Sequence, residues 1–445
     1  MKLQVSRTVT AFSMFPLELV DIILSEVPTD DETKSKWTFA ACTLVCKSWQ
    51  PFGQSHLFRT MTIRMVADQS VCKPFSIDSA KQHIRDPEQV LQFFSDCPGI
   101  AAAVRELTIV MNEPTRLEYP GYTFQNTLAC LSRLRKLHLV VLVLGSPIPP
   151  PHTSVDAGLH LETLCIDVRA SAFSEEIAPI IGLFSSLSTL EIRGVGLAPV
   201  TIVGQASLFP ARAAPHTLIL NDATLLESFL NTLQDVGATD NVRSLCLRNI
   251  AVGDTRAVSR LLAANQTHLT HLELGLRTWH TDLPDDLFHL NLMSVLRPSE
   301  FRMLHTLVLR DLVKALLPIS YPVPPMGYME IPAAVWERQM DVISFFSQCA
   351  APLRRVTFEM HAHDPELFSA EIMPELIRSG FDLEGALLTF QELRTVTFIF
   401  LSEWRPEELP NVAQYFPPLH ERDILRVEWS VLLVYCPLWW ILIEL

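Results

Sequence analysis

The sequence predicts an α/β protein in which a short N-terminal helical module precedes an irregular solenoid built on a parallel sheet. Two observations predict this class. Near the N-terminus, FPLELVDIILSEV and FAACTLVCKSW place apolar residues at helical spacing. Beyond residue 100, a short pattern with aliphatic residues at its first, fourth and sixth positions recurs. The intervals between its copies carry runs that predict helices: EEIAPIIGLFSS, TLLESFLNTLQDV, RAVSRLLAAN and ERQMDVISFFSQC. Repetition of one strand and one helix is typical of a stacked parallel sheet.

The N-terminal module is expected to contain two helices. Pro16 suits the first turn of the first helix, where its missing N–H is no loss. Glu18 lies in the same turn, where a carboxylate meets the positive end of the helix dipole. One face of this helix would hold Phe15, Leu19, Ile22, Ile23 and Val27. The second helix would stop before Pro51 and would hold on one face Ala41, Leu44, Val45, Ser48 and Trp49.

Residues 10–60 resemble an F-box, the helical module that docks onto the small adaptor subunit of cullin–RING ubiquitin ligases. The matching letters are P-x-E-L-x-x-I from Pro16, LVCKSW from Leu44, and HLFR from His56. The chain departs from the family at Phe15, where leucine is usual, and in the long segment PTDDETKSKW. The resemblance implies adaptor contacts by Pro16, Leu19, Ile22, Val45 and Trp49. A plain amphipathic helical pair is the alternative interpretation.

Residues 61–100 are interpreted as a linker or capping segment, in which EQVLQFFSDC predicts a helix. The solenoid is then expected to occupy residues 101–445. Two Pro-rich stretches within it, residues 145–158 and 318–332, are expected to be surface excursions because they are poor in helix formers.

The solenoid is predicted from the nearly constant spacing of the recurring strand pattern. Its central residues are spaced 30, 27, 26, 28, 27, 27 and 35 residues apart, at positions 107, 137, 164, 190, 218, 245, 272 and 307. Weaker copies follow at 356 and 396. The period resembles that of leucine-rich repeats. The Asn or Cys that usually follows the last leucine of such a repeat is present only as Asn112, so the solenoid is expected to be irregular.

Alternation along each strand copy predicts which side chains face away from the leucine core. Together these outward residues would form a surface suited to a protein or peptide, because they mix both charges with histidine and asparagine. Arginine is favoured among the few residues that dominate protein interfaces. The candidate substrate-binding residues are Glu191, Arg193, Arg248, His271 and Arg310.

Composition and motifs disfavour several functional classes. A formal net charge of −14 disfavours a nucleic-acid partner. Nine scattered cysteines without a CxxC pair are typical of a reduced, intracellular protein. No phosphate-binding glycine loop, GxSxG or HExxH motif occurs, and the cluster from His361 to Asp364 is interpreted as a solvated loop. The sequence therefore predicts no catalytic residue, cofactor or metal site, and no enzyme.

The C-terminal run WSVLLVYCPLWWILIEL predicts a last buried strand or a capping segment. From Trp429 to Ile443 it holds 15 residues without a charge, fewer than the roughly 20 that a membrane helix needs, and Pro437 interrupts it. The N-terminus lacks an apolar run long enough for a signal peptide. A membrane location is thus disfavoured, and the chain is expected in the cytoplasm or nucleus.

An F-box followed by leucine-rich-like repeats is similar to the architecture of substrate receptors of SCF-type ubiquitin ligases. The overall sequence pattern looks like that of fungal F-box proteins. This resemblance implies a non-catalytic subunit whose partners are the ligase adaptor and an unidentified protein substrate. A scaffold protein without a link to ubiquitination is the alternative. A membrane-tethered solenoid is a third interpretation, based only on residues 429–445.

Overall fold

The computed structural model describes a strand at each of the ten predicted copies, together with helices before and between them. The described ranges are 17–27, 32–45, 47–65, 87–111, 119–140, 159–167, 180–194, 214–221, 230, 233–234, 239–251, 255–277, 297–312, 342–348, 351–361, 382–402 and 411–431. The chain forms two compact units. Residues 1–167 and 183–185 form the first unit, and residues 168–182 and 186–445 form the second.

The N-terminal module of the first unit contains three helices rather than the predicted two: α1, Leu17–Ser25; α2, Glu32–Val45; and α3, Gln50–Leu57. The prediction was wrong about Pro51, which lies in the first turn of α3, where proline is tolerated. Helix α2 also begins earlier than expected, at Glu32. The core of this module consists of Val20, Leu24 and Phe39, and Nε2 of His56 in α3 lies 2.9 Å from Oδ1 of Asp21 in α1.

The first unit continues with four strands: β1, Thr60–Met65; β2, Glu106–Met111; β3, Lys136–Val140; and β4, Leu159–Asp167. They pair in parallel and in chain order. Three further helices are α4, Pro87–Asp96; α5, Pro98–Ala101; and α6, Gly121–Cys130. Helix α4 confirms the helix predicted from EQVLQFFSDC. Strand β1 lies within the predicted linker, so the sheet begins before residue 101.

The second unit holds eight strands, and β5 has only its first two residues in the first unit. The strands are β5, Phe184–Arg193; β6, Thr217–Asn221; β7, Ser244–Ala251; β8, His271–Arg277; β9, Thr306–Leu312; β10, Arg355–His361; β11, Thr395–Ser402; and β12, Leu425–Val431. From β5 to β12 each strand pairs with the next in parallel. The predicted α/β class with a parallel sheet is therefore confirmed.

Helices of the second unit fall between these strands. They are α7, Thr255–Asn265; helical residues 342–347; α8, Leu383–Leu388; and α9, Pro417–Glu421, with 3-10 turns at Pro298–Glu300 and Val412–Gln414. Helix α7 and residues 342–347 confirm two of the predicted helical runs. The run predicted at residues 175–186 was wrong at its end, because only residues 180–182 are described as helical and β5 begins at Phe184.

The leucine pattern sets the register of both sets of strands. In the first unit, Leu107, Leu137 and Leu164 are successive Cα partners. In the second, the partners run from Leu190 to Val396 through the predicted central residues of every copy. These residues are 1% exposed or less, and burial of each such side chain contributes about 1.5–3 kcal/mol. Repeated burial of the same position is what aligns the strands.

Several predicted features lie outside the described residues: the Pro-rich stretches 145–158 and 318–332, His363 and Asp364, and residues 432–445. Trp429 itself belongs to β12. None of the described helices is long and apolar enough to cross a membrane.

Candidate binding surfaces

The outward face of the second unit carries its charged side chains in rows across the strands. Register places His271 of β8 beside Ser244 of β7 and Thr306 of β9. The next row pairs Cys246 with Glu273. The third row pairs Arg310 of β9 with Glu359 of β10. Because side chains alternate between faces, all of these residues lie opposite the leucine core.

An arginine–glutamate ladder, formed by Arg248, Glu273, Arg310 and Glu359, crosses four strands of this face. Nε of Arg248 donates to Oε1 of Glu273 at 2.6 Å, and its Nη2 donates to Oε2 at 3.3 Å. Arg310 forms an ion pair with the same carboxylate through Nε. Nη1 of Arg310 lies 2.6 Å from Oε2 of Glu359. Positive and negative side chains thus alternate along the row.

Local backbone features help the two arginines reach Glu273. The pairing of β7 with β8 is irregular between Leu247 and Ile250, at the position of Arg248, and such irregularities redirect a side chain. On the next strand, Gly275 is the register partner of Arg310. A glycine presents no side chain there, so it leaves space beside the guanidinium groups.

The electrostatics of the ladder are set by burial and by its two arginines. Burial raises the pKa of the Glu273 carboxyl, but the hydrogen bond from Arg248 and the charge of Arg310 outweigh it and hold that pKa below its ordinary value. At Glu359, burial raises the pKa by more than Arg310 lowers it. Glu273, only 4% exposed, is therefore the ionised centre of the ladder.

Cys246, His271 and Glu273 place potential metal-ligand atoms within 4.8 Å of one another. Burial and the nearby Glu273 charge raise the pKa of the Cys246 thiol to about 12, so it is protonated at neutral pH. A metal would need the thiolate. The Glu273 carboxylate is also occupied by two guanidinium groups. These three residues are therefore better explained as part of the ladder's surroundings than as a metal centre.

The structure brings together three of the five predicted substrate-binding residues: Arg248, His271 and Arg310. Burial lowers the pKa of His271, and the charges of nearby arginines lower it further. Arg193 and Glu191 form a separate pair within β5, with Nε 2.6 Å from Oε1. Alternation along the strands places Glu273 at an outward position, but sequence reasoning selected neither Glu273 nor Glu359 as a site residue. The sequence did contain a signal for both glutamates. Each is an acidic residue at an outward position of one strand, and a neighbouring strand in the sheet carries an arginine at an outward position.

The predicted adaptor-binding residues divide by exposure. Leu19 and Ile22 are 44% and 56% exposed. Trp49 is half-buried and packs against the core of the helical module, so it holds the helices together. Pro16 and the side chain of Val45 lie outside the described part of the chain. Further exposed apolar side chains in α1 and α2 belong to Ile23, Trp37 and Leu44.

Neither the known family models nor the curated protein sequences contain a match to this chain.

Proposed function

We propose that this chain is a non-catalytic substrate-recognition subunit of an SCF-type ubiquitin ligase. Its helical module, α1–α3, would be an F-box that docks onto the ligase adaptor. Its parallel strands would form an irregular leucine-rich-repeat-like solenoid that binds a protein substrate. The proposal combines the sequence resemblance with the distribution of apolar side chains over the helical module.

The exposed apolar side chains of α1 and α2 carry this proposal. Seven large hydrophobic residues are exposed in the described part of the chain. Five of them lie in these two short helices: Leu19, Ile22, Ile23, Trp37 and Leu44. Apolar surface concentrated in one small region is typical of a protein-binding site. A helical pair that served only as structure would have no reason to expose them.

The helical module can present these residues because other residues form its core. Val20 and Leu24 of α1 pack with Phe39 of α2. The ring of Phe39 stacks on His56 of α3 at a centroid distance of 5.3 Å. Leu19, Ile22 and Ile23 are therefore not needed to hold the helices together, and they remain available to a partner.

In this role the chain contributes proximity rather than chemistry. Holding a substrate beside a conjugating enzyme that carries ubiquitin raises the effective concentration of the reacting lysine. The substrate would contact the outward face of the second unit. There Arg193 is about half exposed and Glu191 lies beside it. Arg248 and Arg310 are held by Glu273, so we propose that with His271 they shape this face rather than anchor the substrate.

Adaptor docking is tested by replacing Leu19 and Ile22 with alanine together. The double variant is expected to lose co-purification with the adaptor subunit, because truncating apolar anchors at an interface costs about 2 kcal/mol or more. Both side chains are exposed, so the melting temperature of the chain is expected to stay within about 2 °C of the wild type. Pull-down from cells expressing a tagged chain measures the first result, and circular dichroism measures the second.

Met303→Ala is the matched control, since Met303 is an exposed apolar residue of the second unit at 47% exposure. It should leave adaptor binding unchanged. Normal adaptor binding by the Leu19→Ala, Ile22→Ala variant would reject the F-box assignment. A wild-type chain that binds other proteins but never the adaptor would instead support the scaffold alternative.

A further inference from the structure

A basic edge lies where the strands of the second unit begin. In β6 to β11, the two residues before each buried central residue occupy twelve positions, of which seven are basic and none is acidic. The other five are serine or threonine. Acidic residues outnumber Lys and Arg by 49 to 35 in the whole chain, so composition does not explain this row. The seventh basic residue, His271, lies beside Glu273 of the ladder, so we define the basic edge by the other six: His216, Arg243, His305, Arg354, Arg355 and Arg394.

Backbone hydrogen bonds hold these residues in line. The carbonyl of Arg243 accepts N–H groups from both Thr270 and His271, at 2.8 and 3.1 Å. The carbonyl of His305 accepts from Arg354 and Arg355 at 2.9 and 3.0 Å. Because one carbonyl joins two consecutive residues of the next repeat, the strand starts cannot shift independently. A partner would meet a fixed row of backbone positions, so binding would have to order only the arginine side chains.

The arginines of the basic edge are exposed and free to bind a partner's carboxylates, whereas those of the ladder are held by Glu273 and Glu359. Arg243, Arg355 and Arg394 are exposed and make no ion pair with any residue in the described ranges. Arg354 pairs with Glu392 at 2.9 Å, but both side chains are more than 40% exposed. Such surface ion pairs contribute little stability, so a carboxylate of a partner can replace Glu392. The edge therefore presents guanidinium groups without a strong internal competitor.

From these observations we infer that the basic edge binds an acidic segment of a protein partner. Guanidinium groups form paired hydrogen bonds with carboxylates. Neighbouring strands lie about 4.8 Å apart, so the four spacings from Arg243 to Arg394 span about 19 Å, the length of roughly six extended residues. The hydroxyl groups of Thr217, Thr306 and Thr395, at the intervening positions, can donate further hydrogen bonds.

A nucleic acid fits the edge less well. The twelve positions include no Phe, Tyr or Trp, the large aromatic residues on which bases stack most strongly. The net charge of −14 would also repel a phosphate backbone that extended beyond the edge. Binding of an acidic segment at the basic edge does not require adaptor docking, because the edge lies in the second unit and the helical module lies in the first.

Fluorescence anisotropy of the purified full-length chain tests the inference. The probe is a labelled peptide of about ten residues that alternates Glu and Gly, with a Gln–Gly peptide as its uncharged control. Binding of the Glu peptide is expected to weaken with added salt. The variant Arg243→Gln, Arg355→Gln, Arg394→Gln should weaken it about tenfold, since three ion pairs are lost. The charge-matched control Arg256→Gln, Arg297→Gln, Arg302→Gln changes exposed arginines outside the edge and should have little effect.

The charge-reversed variant Arg243→Glu, Arg355→Glu, Arg394→Glu tests the edge by a gain of binding. It should bind a labelled Lys–Gly peptide that the wild type does not bind. Equal binding of the Glu and Gln peptides by the wild type would overturn the inference. Equal weakening by the edge and control variants would also overturn it. Tighter binding of an oligothymidylate of matched charge, lost in the edge variant, would assign the edge to a nucleic acid and reject a protein partner.

Discussion

Glu273→Ala is expected to destabilise the second unit by about 3–5 kcal/mol, because it leaves two partly buried guanidinium groups without their shared carboxylate. Arg248 and Arg310 are 30% and 23% exposed in their side chains, and both pair with Glu273. A loss of this size should lower the melting temperature by about 10 °C. Thermal unfolding followed by circular dichroism measures it.

Replacing the whole ladder by uncharged residues separates unpaired charge from lost packing. Adding Arg248→Met, Arg310→Met and Glu359→Gln to Glu273→Leu removes all four charges of the ladder, so this quadruple variant should recover most of the lost stability. If it is no more stable than Glu273→Leu alone, the ladder does not act through charge pairing. The same Arg248 and Arg310 cannot serve as simple probes of substrate binding, since reversing their charge would place like charges around Glu273.

The pH dependence of the ladder has a defined sign. The pKa of Glu273 is lowered from its ordinary value of 4.5 in the folded chain. Its carboxylate therefore stabilises the fold fully above that value, and the contribution is lost as the pH falls through the folded pKa. The difference in melting temperature between the wild type and Glu273→Gln should thus be largest at neutral pH and shrink below pH 4.5. Glu359→Gln is the control on the neighbouring strand and should cost less at neutral pH, because burial raises the pKa of Glu359.

Phe398→Ala is expected to cost about 3–5 kcal/mol, because it opens a cavity in the core between β11 and its neighbours. The ring of Phe398 is 1% exposed. It stacks on Phe358 of β10 at 5.0 Å and on Phe416 at 5.3 Å between centroids. Hydrogen exchange measured by mass spectrometry should show faster exchange of backbone amides in β10, β11 and β12.

Phe398→Leu is the graded control, since it keeps most of the apolar volume and should cost only about 1–2 kcal/mol. Exchange in the first unit, such as that of α6, should be unchanged in both variants. Equal protection of β10–β12 in the wild type and in Phe398→Ala would show that this aromatic stack does not hold the strands together.

The position of the strands and the face they bury could be predicted from local pattern alone. Leu107, Leu245 and Leu307 each stand in a copy whose alternation specifies a buried side, and a shift by one residue would expose that side. Strand β1 was missed because its buried residues are Ile63 and Met65 rather than leucines. Helix α3 was missed because Pro51 is equally compatible with the end of one helix and the first turn of another.

Pairing between outward side chains could not be predicted in the same way, because residues far apart in the chain become neighbours only when the sheet forms. Glu273 lies 25 residues from Arg248 and meets it across the β7–β8 pairing, where the strand is irregular. Nothing in the local pattern distinguishes Arg310, held by Glu273, from Arg193, which occupies the same position of its own copy and is about half exposed. The core of the helical module is decided similarly: the same helical spacing allows Leu19 and Ile22 or Val20 and Leu24 to face inward, and only packing against Phe39 selects Val20 and Leu24. Repetition along the chain thus determines which elements form, whereas the contacts between them determine which side chains remain free to bind a partner.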